Sequence, residues 1–545
     1  MNRTLALTVV PATLGALLVP AAAVTTHATA PAAHTAAAGA ASVTPDPDHI
    51  KTLTAVLNTM TSNYAAFAHS TPGAQDILDY HIGDLWLHGI DGTGTTIAVL
   101  EGWDDPQINT VIHSFDQKYG LPDPEIQTIY PDGGHLPATC PPGMVALGSY
   151  GSCSAWAGEL RLDVEAAHLI APYAKIVISA TPADSEITDD AASQVAPPEF
   201  MTALEYIAQN HLADAISISD GTGESTYDNR AELTAQDPGE LAAAAAGIPV
   251  LVGTGDCGVV QNLAVASSQC GNTTTTPDTA AWDDSPWVTA MGGSVPDMTA
   301  TGTKAGPDPL WKAGKYGEGA GYSSVYSQPD YQRAIEPGAT MRSVPDITLD
   351  AQDGTSESTP LMAGVLALAA QLNHGDVGPA NTALYRLGPL GARAGIADVV
   401  SGNNSDTLPD GTVVPGFTAG PGFDVASGWG SLDASKFVPA LVAATRTEQG
   451  PNAPRQQAAR ALDALRRSMQ LTSSGGSTYL LSSGFLPGHP VELDIDGAKV
   501  ATLTANNLGT VTDLIDQSAL GLSAGKHTVT LHSMLIDQTG GFRSR

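Results

Sequence analysis

Basic residues are scarce in this chain. Only 23 Lys and Arg stand against 56 Asp and Glu in 545 residues, a formal charge of −33. Such a surface repels phosphate, which argues against a nucleic-acid partner. Apolar runs long enough to span a bilayer are also missing. The stretch from Leu5 to Val19 is short and broken by Pro11 and Gly15, so it does not read as a permanent membrane anchor. Cysteine is sparse: Cys140, Cys153, Cys257 and Cys270 are the full set. They contain no Cys-x-x-Cys and have no nearby His at metal spacing, which argues against zinc. None lies near the N-terminal apolar stretch, so a lipoprotein anchor is not indicated.

What is present at the N-terminus reads as a secretory signal peptide over residues 1–30. Arg3 precedes the apolar stretch, and small-residue sites follow at Ala21-Ala22-Ala23 or Ala28-Thr29-Ala30. The expected location is therefore extracellular. Residues 31–70 are an Ala/Thr/Pro-rich linker or short pro-segment. In an oxidising compartment the four cysteines allow three pairings. Short-loop closure favours Cys140–Cys153 and Cys257–Cys270, each pair thirteen positions apart. The strong acidity also suits acid surroundings, where carboxylates lose their charge.

From Thr71 onward, apolar strand candidates alternate with helical ones. The strands are Thr96–Leu100, Lys175–Ser179, Ala215–Ser219 and Ile248–Val252. The helices are Ile108–Tyr119, Glu159–Ile170, Phe200–Gln209 and Glu240–Ala246. The alternation predicts an α/β fold, a doubly wound and mostly parallel sheet with both faces covered. It occupies residues 71–440. Residues 441–472 are a linker and helix, the helix expected over Arg455 to Leu471. Residues 473–545 change to period two, with a hairpin signal at Asp496-Gly497, and predict a small sandwich-like all-β domain.

Three segments carry chemistry-bearing residues. Gly354-Thr355-Ser356-Glu357-Ser358-Thr359-Pro360 delivers a serine to the start of an apolar helix, beside free backbone N–H groups and the positive end of the helix dipole. Such a place suits a nucleophile, and it equally suits a plain helix cap. Glu159 and Asp163 are four apart, on one helix face, with Leu160, Val164 and Ala167 on another. Like charges at that spacing are unfavourable unless they share a proton or face a partner. A solvated acidic face is the alternative. Thr254-Gly255-Asp256-Cys257-Gly258 follows a strand, where open α/β sheets place their sites, although a turn aspartate is common there too.

Together these segments resemble the sedolisin family, serine-carboxyl peptidases of subtilisin-like fold, over roughly Thr71 to Pro439. The matched residues are Gly354-Thr355-Ser356 with Ser358-Thr359-Pro360, Glu159-x-x-x-Asp163 and Gly255-Asp256-x-Gly258. A fourth match is Asp398-Val399-Val400-Ser401-Gly402-Asn403, followed by Gly420-Pro421-Gly422-Phe423-Asp424. The resemblance implies Ser356 as nucleophile, Glu159 as general base, Asp163 as the residue orienting it, and Asp256 as a protonated donor to the oxyanion. It implies an acid optimum, because the base must be ionised while the donor keeps its proton. No His-Gly-Thr-His segment of the ordinary subtilisin kind is present. The fourth match implies one structural Ca²⁺, held by carboxylates of Asp398 and Asp424 and carbonyls of Val399, Gly420 and Gly422. A glycine-rich turn without metal is the other reading.

The expected partners are protein or peptide substrates met by a monomer, with cell-wall contact through the β domain. Two departures qualify the resemblance. About forty residues separate the signal peptide from the α/β region, too few for the family's large prodomain. Only Ile347 to Asp353 separate Val344-Pro345-Asp346 from Gly354, a short approach to the serine, and Glu357 is charged where the family is not. The alternative function is an inactive secreted binding or wall-associated protein on the same scaffold. A glycosidase using Glu159 and Asp163 would leave Ser356 without a purpose.

Overall fold

Runs of branched apolar residues organise the molecule around a single parallel sheet. The computed structural model describes residues 43–67, 70–131, 140, 152–181, 198–261, 270, 275–450, 453–474 and 476–544. The signal peptide therefore lies outside the described residues, as do residues 31–42 of the linker segment. The sheet strands are β1 (Thr96–Glu101), β2 (Ile126–Ile129), β3 (Lys175–Ala180), β4 (Ala215–Ile218), β5 (Val250–Gly253), β6 (Thr289–Ser294) and β7 (Ile347–Asp350). They run in the order β7-β6-β5-β4-β1-β3-β2 and every pairing is parallel. Val99 of β1 aligns with Ile178 of β3 on one side and Ser217 of β4 on the other.

Helices cover both faces, which is why the central strands are mostly apolar. On one face lie α1 (Pro47–Ser62), α2 (Ala74–Asp79), α3 (Ile108–Tyr119), α4 (Cys153–Ile170), α7 (Thr355–Asn373) and α8 (Ala434–Thr445). They bury residues such as Ile112, Val164, Leu366 and Leu441 in one core. On the other lie α5 (Glu199–Asn210), α6 (Asp237–Ala246) and α9 (Pro454–Arg466), which bury Leu204, Leu241 and Leu462. Gly364 sets how closely α7 approaches α4. A Cβ there would lie 2.5 Å from Ile170 Cβ and 3.1 Å from the Ala167 carbonyl.

The expected elements match within a few residues, with informative exceptions. The C-terminal helix ends at Arg466 rather than Leu471, and Gln470–Ser474 is already a strand. β6 and β7 escape the periodicity argument. The first reads Thr-Ala-Met-Gly-Gly-Ser, where glycine hides the strand pattern. Its glycines are needed, because a Cβ on Gly292 would meet Glu318 Oε2 at 2.6 Å and one on Gly293 would meet Ala351 Cβ at 2.6 Å.

The C-terminal region holds two antiparallel sheets. One is β8 (Gln470–Ser474), β9 (Ser477–Ser483) and β12 (Thr510–Asp516). The other is β10 (Pro490–Ile495), β11 (Ala498–Thr504), β13 (Gly525–His532) and β14 (Gln538–Ser544). Leu480, Val491, Leu493, Val511, Val529 and Leu531 fill the space between them. Asp496 and Gly497 both have positive φ, as a two-residue hairpin turn requires. This region packs on the main body through Leu486 and Leu535, and Arg466 of α9 pairs with Glu205 of α5 at 2.6 Å.

Candidate active site

Three segments distant in sequence meet at the carboxyl ends of the strands. β7 enters α7 through the turn Ala351–Gly354, so the short approach to Ser356 is one edge strand and one turn. Gly354 has φ 94°, and a Cβ on it would lie 2.7 Å from Asp256 Oδ2. A glycine is required there on both counts. Ser356 is the second residue of α7 and is half-buried, so its hydroxyl sits at the helix N-terminus facing a cleft of about 350 Å³.

The Gly255–Gly258 turn is clipped onto this helix start. Thr355 N–H donates to Asp256 Oδ1 at 2.8 Å, and Thr355 Oγ1 lies 3.2 Å from the same oxygen. Gly255 N–H donates to Thr355 Oγ1 at 3.1 Å. The neighbouring Cys257 is bonded to Cys270, and Cys140 to Cys153 at the start of α4, as short-loop closure anticipated.

Glu159 and Asp163 come from the middle of α4. Leu160, Val164 and Ala167 are buried against the sheet, which turns Glu159 toward the cleft. Ser356 and Glu159 line the same cleft, where the serine hydroxyl acts on the Glu159 carboxyl. Glu159 is raised to about 7, chiefly by burial; the Ser356 hydroxyl works against the rise and the charges of Asp256 and Asp353 add to it. Asp163 is fully buried one turn on, raised well above the usual range by burial and by Glu159. Ser219, just past β4, donates to Asp163 Oδ2 at 2.8 Å and to the Ser356 carbonyl at 3.2 Å. One hydroxyl thus ties the α4 pair to the α7 start.

Two further acids at the site were not picked out from the sequence. Glu101 ends β1, fully buried, and is raised well above its ordinary value by burial and by Asp163. Its signal was a carboxylate closing a buried apolar strand. Asp220 follows Ser219 and lines the cleft beside Glu159. His168, five residues beyond Asp163, is fully buried with Nε2 3.0 Å from Asp116 Oδ1, a packing role away from the cleft.

Glu357 turns away from the cleft. It is buried with Asp76 and Asp350, and the three bring carboxylate oxygens within 4.8 Å of one another, a group that could hold a metal ion. Asp398 and Asp424 are drawn together by a separate loop. Gly422 N–H donates to Asp398 Oδ2 at 2.8 Å, and Gly420 N–H to Asp424 Oδ2 at 2.7 Å. Asp398 Oδ1 is left buried without a partner, and Val399 is buried beside it. An orphaned carboxylate oxygen in an all-oxygen donor set fits a hard cation.

No helix among the described residues is long and apolar enough to cross a membrane. No family model matches the chain. The chain is 27% identical to kumamolisin of Bacillus sp. (strain MN-32) over 403 residues, 68% of this chain and 64% of that protein. It is 28% identical to sedolisin of Pseudomonas sp. (strain 101) over 262 residues, 43% of this chain and 42% of that protein. The chain thus spans less than two thirds of the length of these curated relatives. The solved structure of Pseudomonas sedolisin, a serine-carboxyl proteinase complexed with two molecules of pseudo-iodotyrostatin, shares the fold. It matches with a TM-score of 0.52 and 23% identity, over 65% of this chain and 94% of that one. In sequence the chain is thus similar to kumamolisin and sedolisin, and in fold to the solved sedolisin structure.

Proposed function

We propose that the protein is a secreted serine-carboxyl endopeptidase that hydrolyses peptide bonds on the acid side of neutrality. The observation that carries this reading is the meeting of Ser356 at a helix N-terminus with the Glu159 carboxyl and, across the same cleft, Asp256.

In this mechanism Ser356 Oγ attacks the scissile carbonyl while Glu159 takes its proton. Asp163 holds the Glu159 carboxyl in orientation and is itself held by Ser219. The tetrahedral oxyanion is met by the N–H of Ser356 and by a proton on Asp256. Asp256 is fixed beside the helix start by the Thr355 N–H bonded to its Oδ1. Glu159 then returns its proton to the leaving amine. An acyl-enzyme forms, and water releases it by the same steps in reverse roles.

The two carboxyls set the pH range. Glu159 must be ionised, and its raised value moves the acid limb up toward neutrality. Asp256 must be protonated, which sets the alkaline limb. The optimum lies between these two limbs. A Ca²⁺ held by Asp398, Asp424 and the carbonyls of Val399, Gly420 and Gly422 would lock the loop against the body; its role is structural. The test is digestion of an unfolded protein across pH 3–8 (roughly the carboxylate range), comparing the wild type with Ser356→Ala. Product from the wild type alone supports the reading, and equal product from both rejects it.

A further inference from the structure

The cleft contains an acid that this mechanism does not use. Asp220 lies two residues beyond the end of β4 and lines the same cleft as Glu159 and Asp256. Its Oδ2 is buried without a hydrogen-bond partner. Burial holds the carboxyl well above its ordinary value, the Glu159 charge adds to that, and the Gly221 N–H opposes it. Among the described residues, none of the groups lining the cleft is basic. The cleft therefore gathers three carboxyls with no cation to answer them.

A buried carboxylate oxygen without a donor is costly, and the cost disappears when a donor arrives. A donor with positive charge also offsets the Glu159–Asp220 repulsion. Glu159 and Asp256 are committed to the reacting atoms, which leaves Asp220 to read the substrate. An apolar side chain would bury Asp220 further and satisfy nothing, and a neutral donor would leave the Glu159–Asp220 repulsion in place.

We infer that Asp220 is a specificity-determining residue that binds a cationic group of the peptide, an ammonium or guanidinium, beside the scissile bond. This rests on the peptidase reading for its consequence in catalysis, but not for its consequence in binding. The cation has two sources: a Lys or Arg side chain, or the α-ammonium of a peptide N-terminus.

The experiment uses peptides with one Lys scanned through a neutral background, each paired with its norleucine counterpart, with free or acetylated N-termini. Binding is measured by calorimetry on full-length Ser356→Ala, and kcat/KM on the wild type. The best Lys peptide is expected to bind about tenfold or more tightly than its norleucine partner, the strength of a hydrogen bond to a charged group. The same ratio should appear in kcat/KM and collapse toward one in Asp220→Asn. If acetylation erases the preference, the cation is the α-ammonium; if it survives acetylation, the cation is the side chain. Equal binding of Lys and norleucine peptides at every position would overturn the inference. So would an Asp220→Asn variant that loses both substrates alike, because Asp220 would then serve Glu159 instead of the substrate. A binding preference with no cleavage of any peptide would keep the Asp220 assignment and reject the peptidase reading.

Discussion

Asp256 accepts a 2.8 Å hydrogen bond from the backbone N–H of Thr355, the residue just before Ser356. This bond fixes the Asp256 carboxyl against the start of α7. It is feasible because Gly354 bears no side chain: the Cβ of any other residue would sit 2.7 Å from Asp256 Oδ2.

Gly354→Ala should therefore damage both stability and activity. The positive φ and the clash together cost about 1–3 kcal/mol. Displacing Asp256 and Ser356 should lower kcat by on the order of 10²-fold. Thermal unfolding and peptide hydrolysis measured on one preparation separate the two effects. An unaltered kcat would show that the turn does not position the site.

Asp353 tunes the base from outside the cleft. Its negative charge is among the causes that raise Glu159. Neutralising it in Asp353→Asn lowers the Glu159 value. Glu159 then ionises at lower pH, so the acid limb of kcat/KM against pH should move down while the alkaline limb stays. An acid limb that moves up or stays fixed would show that Glu159 does not set it.

Stability should increase on acidification from neutral pH. Burial raises Glu165 and Asp237 to about 7, Glu159 to about 7, and Glu240 and Asp284 well above their ordinary range. Between roughly pH 4 and 7 the unfolded chain has lost these protons while the folded one keeps them. Raising pH through that window therefore costs stability. Differential scanning calorimetry should give a higher Tm at pH 5 than at pH 7, and the reverse order would contradict the burial argument.

The segments that line the candidate site were legible in the sequence because each is local. Gly354 to Pro360 is one turn and a helix start, and Glu159 with Asp163 is a four-residue spacing. What sequence could not supply was the partner of each. Ser219, just past β4, and Glu101, at the end of β1, support Asp163; Ser219 has no local pattern that announces it, and Glu101 only its place at the end of an apolar strand. In sequence, Ile347 to Asp353 is a short approach to the serine. The parallel pairing of β7 with β6 supplies the anchoring that length did not. Glu357 looked like a charge beside the cleft, yet helix periodicity turns it inward to Asp76 and Asp350.

Metal removal should act on stability before chemistry. Chelation should lower the Tm of the wild type and leave an Asp398→Asn, Asp424→Asn double variant unaffected. Saturating Ca²⁺ at a hundred times its Kd stabilises by about 2.7 kcal/mol. If the double variant responds to Ca²⁺ as the wild type does, the ion sits elsewhere, with Asp76, Asp350 and Glu357 as the next group to change.

The central claim is that Ser356 is a nucleophile activated by Glu159. It is tested most directly by mass spectrometry of the enzyme quenched during turnover of a peptide ester at mildly acid pH. The account predicts an acyl adduct on Ser356 in the wild type and none in Ser356→Ala. It also predicts that Glu159→Gln forms the adduct about 10²–10⁴-fold more slowly. Hydrolysis without an adduct on Ser356, or an adduct formed at the same rate in Glu159→Gln, would contradict it.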